Sequence, residues 1–109
     1  MSGDNQLTIP ESFVNLYVAP GAIKPSLDKT SLYARYEFCE DLANLLTEHA
    51  ANIRFDTGCD ESDVLERCLR GLQNTDSGVQ SVEAPWVIGR LAELMNWPPL
   101  TTDLPSADA

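Results

Sequence analysis

The stretch from Leu32 to Phe55, LYARYEFCEDLANLLTEHAANIRF, contains neither glycine nor proline across twenty-four residues. Its apolar or small residues Leu32, Tyr36, Cys39, Ala43, Leu46, Ala50 and Ile53 recur in steps of four and three, the spacing of one helical face. Phe38, Leu42, Leu45 and His49 form a second row beside the first, so the pattern predicts a long helix with a broad buried face. The other side carries Glu37, Glu40, Asp41, Asn44, Thr47, Glu48 and Asn52, a face that is acidic and holds no cation of its own. Whatever else the chain contains must cover that apolar side.

The flanking segments supply shorter helices. Thr8-Ile9-Pro10-Glu11 fits a capping box with proline in the first turn, opening a helix to about Val18 with Ile9, Phe13, Leu16 and Tyr17 on one side. So short a helix is unstable alone and is expected to dock on the central one. Ala19-Pro20-Gly21 ends it, and Ser26, Asp28 and Thr30 all offer cap oxygens for the start of the central helix. Asp56-Thr57-Gly58 is the stop signal. Asp60 then caps a third helix, Glu61 to about Asn74, with acids in its first turn and arginines later, as the helix dipole favours. Ser81 opens a fourth, with Pro85 in its first turn and Trp86, Val87, Ile88, Leu91, Leu94 and Met95 as its apolar surface, and Pro98-Pro99 closes it. The expected organisation is a polar lead (1–7), one helical domain (8–98) and a disordered acidic tail (99–109). The expected class is all-α, an irregular three- to four-helix bundle around one long central helix.

Charge narrows the function. Seventeen Asp and Glu against seven Lys and Arg give a net charge of −10, which disfavours direct nucleic acid binding because repulsion opposes the encounter with phosphates. Residues 37 to 66 hold nine carboxylates and one cation, Arg54. Three cysteines form no CxxC pair and no secretory signal precedes them, so a reducing cytoplasmic setting is expected, and no run approaches the roughly 18 apolar residues of a membrane span.

Candidate chemistries fail on spacing. Cys39, His49, Cys59 and Cys68 have zinc-ligand atoms in no zinc-site spacing, and Cys39 and His49 are about 15 Å apart along one helix. Cys39 reads as core and His49 as a residue at the edge of the core. A calcium loop beginning at Asp56 would need glycine at its sixth position and glutamate at its twelfth, where Glu61 and Arg67 stand. Gly21 to Ser26 lacks the order of a phosphate-binding loop, with Pro25 after Lys24. No catalytic residue, metal or cofactor is therefore assigned, and the chain is read as a non-enzyme.

The segments IPESFVNLYVAPG, ARYEFCEDLANLLTEHA, DVLERCLRGL and WVIGRLAELMNW together resemble a family of short, uncharacterised, acidic proteobacterial proteins. Members are sometimes labelled as an ATPase with chaperone activity. This chain departs from that label, having no Walker motif and too few residues for an ATPase domain, and the resemblance transfers no functional residue.

The resulting expectation is an adaptor- or regulator-type interaction module that meets a protein partner, basic in character, through Glu37, Glu40, Asp41 and Glu48, with Trp97 either a lid on the bundle or an exposed anchor. Two rivals belong to other classes: a DNA-mimic inhibitor of the anti-restriction or anti-CRISPR type, and a small enzyme pairing Cys59 or Cys68 with His49. A homodimer would be a further way to cover apolar surface left on so long a helix.

Overall fold

A computed structural model describes residues 9–74 and 76–100, and its axis is a helix of 29 residues, α2 (Lys29–Thr57). Before it come one turn of helix, α1 (Glu11–Val14), and a 3-10 turn at Asn15–Tyr17; after it come α3 (Glu61–Asn74) and α4 (Ala84–Met95). Each of α2, α3 and α4 packs against the other two. The described residues contain no strand. The chain is thus an all-α bundle of three mutually packed helices, with the α1 segment laid across them.

Helix boundaries follow local chemistry where the signals are backbone signals. The α2 helix ends at Gly58, which takes the left-handed conformation (φ 71°) and donates its amide to the Arg54 carbonyl at 2.9 Å. Glycine adopts that geometry without a Cβ clash, so the helix stops where the sequence says. At the head of α3, the Asp63 amide donates to Asp60 Oδ1 at 3.0 Å, a side-chain cap. The α4 helix ends at Asn96, also left-handed (φ 62°), and the Trp97 amide closes on the Ala92 carbonyl at 2.8 Å. Asp28 stands at the N-cap of α2 without a capping side-chain bond.

Three expectations need correction. The first helix does not continue to Val18: it tightens after Val14 into the 3-10 turn, and Val18 is extended (φ −105°, ψ 112°). The tightening aims two neighbours at different targets. Phe13 is wholly buried, its ring edge-on to Tyr36 at 5.7 Å and to Trp86 at 5.1 Å, while the Tyr17 hydroxyl turns to Glu83. Thr8, the proposed capping residue, lies outside the described residues; Pro10 holds the N-cap position, and its carbonyl accepts from Phe13 and Val14. The fourth helix begins at Ala84, three residues after Ser81, because residues 80–83 form a turn in which the Glu83 amide bonds the Gln80 carbonyl at 2.9 Å. Pro85 still falls in the first turn.

The third correction concerns the buried face of α2, which is narrower than its pattern. Of the first row, Leu32, Cys39, Ala43 and Ala50 are buried, and Tyr36, Leu46 and Ile53 pack half-buried against the core. The second row faces outward: Leu45 is 73% exposed, Phe38 37%, and His49 is exposed, with Leu42 half-buried. The reason is supply. Two helices of 14 and 12 residues close over the small side chains of Cys39, Ala43 and Ala50 and cannot also flank α2. Val64, Leu65 and Cys68 of α3 and Val87, Ile88 and Leu91 of α4 complete that interior. At the C-terminal end, Leu100 packs against the core, beyond the expected domain limit at 98, and residues 101–109 lie outside the described ones.

Burial and exposure predict opposite mutational costs. Phe13→Ala is expected to lower stability by about 3–5 kcal/mol in urea unfolding. Leu45→Ala, despite lying in the same periodic pattern as the core, is expected to change it by no more than about 0.5 kcal/mol.

Candidate interaction surface

The most demanding polar group in the fold is the Glu83 carboxylate, which is completely buried. Its position follows from the turn before α4, where the Gln80 amide donates to Oε1 at 2.9 Å. Arg35 of α2 reaches it with two bonds, Nε to Oε2 at 3.0 Å and Nη2 to Oε1 at 2.6 Å, and the Tyr17 hydroxyl donates to Oε2. Arg35 also donates to the Gly78 carbonyl at 2.8 Å, and its guanidinium sits 4.9 Å from the centre of the Phe38 ring. Burial pushes the Glu83 carboxyl up, but the bonds from Arg35, Tyr17 and Gln80 outweigh it and hold the group below the usual carboxylate range. Burial, and then the hydrogen bond to Glu83 and the charge of that group, push the Tyr17 phenol up to about 12. Arg35, Tyr17 and the Gln80 amide thus all donate to this one carboxylate. Glu83 carries no sequence pattern to single it out, because its partners lie 48 and 66 positions away.

The acidic row of α2 divides. Glu37, Asp41 and Glu48 are exposed, as expected of a surface. Glu40 is taken up internally: Arg90 of α4 binds it through Nε to Oε1 at 2.8 Å and Nη2 to Oε2 at 2.9 Å, and also reaches Glu93 at 3.0 Å. The Arg90 bonds hold the Glu40 carboxyl below its usual range. The row is therefore not wholly unpaired, and Glu40 acts as a tie between α2 and α4 rather than as free surface. Trp97 is half-buried against the core with its ring 5.9 Å from the Arg54 guanidinium. It lines a groove of about 540 Å³ together with Tyr36, Trp86 and Arg90, whose lining includes none of Glu37, Asp41 and Glu48.

What the outer side of α2 does present is apolar as well as acidic. Leu45 stands one helical turn from Asp41 on one side and from Glu48 and His49 on the other, and further along Phe55 is 88% exposed. The helix buries Leu32, Cys39, Ala43 and Ala50 on its core face and leaves these large side chains in water.

Burial deactivates two of the three thiols. Cys39 and Cys68 are buried; burial, and then the Glu83 charge, push the Cys39 thiol up to about 12, and burial raises Cys68. A thiol so raised is a poor nucleophile at neutral pH. His49, exposed on the outside of α2, is not at the edge of the core as its spacing implied, whereas Cys39 and Cys68 are buried. Among the described residues no group of three His, Cys, Asp or Glu side chains is placed to hold a metal ion, and no helix is long and apolar enough to cross a membrane.

These environments give stability a pH dependence. Glu83 and Glu40 have depressed folded-state pKa values, so their contribution is present above the ordinary carboxylate range near pH 4 and lost as pH falls through their folded values. Tyr17 and Cys39 are raised, so theirs is present below the unfolded values of 10.0 and 9.0 and lost as pH rises towards about 12. Urea midpoints are expected to be flat between about pH 5 and 8 and to fall on both sides. A double-mutant cycle on Glu40→Ala and Arg90→Ala should give a coupling of about 0.2–1 kcal/mol, the scale of a partly exposed pair.

Compared with known proteins, the chain matches no family model, no curated protein and no solved structure.

Proposed function

We propose that this protein is a non-enzymatic interaction module whose outer α2 face takes a basic, amphipathic segment of a partner protein. The observation that carries the reading is Leu45, 73% exposed in the middle of a helix whose other side packs against the core, with Asp41 and Glu48 one turn away on either side. An apolar centre gives a partner something to bury, and the flanking carboxylates favour a partner that brings cations and disfavour others. Charge of one sign also opposes pairing with a second copy through this same face, where Glu37, Asp41 and Glu48 would meet their equivalents. A protein partner is favoured over a DNA-mimic role because Leu45 and Phe55 interrupt the carboxylates, whereas a phosphate backbone has no apolar counterpart to imitate. The reading places the protein in a reducing, cytoplasmic setting, in which its three free cysteines stay thiols.

The test is affinity capture at low and high salt with three forms of the protein. Capture of one partner by the native chain should weaken at high salt. It should be lost in the triple reversal Glu37→Lys, Asp41→Lys, Glu48→Lys and fall about tenfold in affinity with Leu45→Ala. A partner retained by both variants would remove this face from the function. A partner displaced by duplex DNA would move the protein to the DNA-mimic class.

A further inference from the structure

Both lysines of this acidic chain, Lys24 and Lys29, border the same groove. It lies between the α1 segment and the connector leading into α2, holds about 730 Å³, and is walled by Ile9, Val14, Leu27 and Leu32. Ile9, Val14 and Leu27 are half-buried, so aliphatic surface is open to the groove, while both lysines are exposed. Among the described residues neither lysine has an ion-pair partner. Asp28, at the N-cap of α2, shares the wall, so the described lining residues carry one net positive charge in a protein of net −10. This location is independent of the outer α2 face and of the function proposed for it.

We propose that this groove binds the monomer of a long-chain aliphatic carboxylate, with the carboxylate on Lys24 and Lys29 and the hydrocarbon against Ile9, Val14 and Leu27. Small-molecule sites are concave, mostly apolar, and carry few polar groups to fix orientation. Lysine suits the head group, since its flexible stem lies along apolar surface while its ammonium supplies three donors. The overall negative field opposes an anion at long range, but it is screened beyond about 8–10 Å at physiological salt. Within that distance the two ammonium groups decide. A concavity with an aliphatic wall fits one hydrocarbon chain better than it fits the flat surface of a bilayer.

The experiment is a titration of the isotope-labelled full chain, followed by nuclear magnetic resonance, with three probes of equal chain length kept below their micelle concentrations. They are a saturated straight-chain carboxylate, its methyl ester, and the alkyl trimethylammonium ion. Adsorption governed by net charge would favour the cation, so the expected order, carboxylate first, runs against the charge of the whole protein. Amide shifts should centre on Val14, Lys24, Leu27 and Lys29. The double variant Lys24→Gln, Lys29→Gln, altered only at exposed positions, should lose about tenfold in affinity for the carboxylate and keep its affinity for the ester. Equal or tighter binding of the cation, shifts centred on Trp86 and Trp97, or unchanged carboxylate binding by the variant would each overturn the assignment. So would a native dimer that the variant dissociates, which would give the groove to a second copy, or binding seen only with phosphatidylglycerol vesicles, which would give it to a lipid surface.

Discussion

A carboxylate removed from water costs several kcal/mol unless its lone pairs and charge are answered, and the arrangement around Glu83 answers both. Arg35 comes from α2, Tyr17 from the 3-10 turn, the Gln80 amide from the approach to α4. Three segments that are remote in sequence therefore meet at one charge, and each must hold its place for the other two to be satisfied. Loss of any single donor leaves a buried charge short of a partner, whereas the apolar contacts nearby can relax. The aromatic cluster of Phe13, Tyr36 and Trp86 extends from the same α1 segment, and its geometry depends on where Tyr17 and Glu83 pin the chain.

Small residues set the other side of the balance. Cys39, Ala43 and Ala50 let α3 and α4 approach the α2 backbone closely, and the interior closes over a single row. The consequence is an axis helix with one wall built and one left over. Leu45 and Phe55 are exposed because α3 and α4 pack on the opposite side of α2, over Cys39, Ala43 and Ala50. Glu40, at the border between the two sides, is recruited inward by Arg90. The exposed acidic surface is accordingly smaller than the acidic row, and more apolar.

Much of the local structure was legible from residues a few positions apart. The Asp60 cap, the left-handed Gly58, the span of α3 and the membership of Cys39 in the core follow from backbone hydrogen bonding and helical spacing, which short windows contain. The start of α4 was not legible, because Ser81 is a good cap in isolation and only the burial of Glu83 makes residues 80–83 a turn. His49 and Leu45 were misplaced for a related reason. Periodicity reports that a face is apolar enough to be buried, but which face a neighbouring helix covers is decided by packing.

The candidate surface divides along the same line. Sequence alone determined that the chain is helical, that its charge is concentrated on and after α2, and that no metal or nucleotide motif is spelled in it, since those are matters of composition and spacing. Only the tertiary structure decided which carboxylates are free, because Glu40 and Glu83 are claimed by arginines 50 and 48 positions away. It likewise decided that Trp97 faces a groove with Trp86 and that both lysines border one apolar groove. Pairing across the chain depends on where helices cross, and crossings are set by packing, which no local window records.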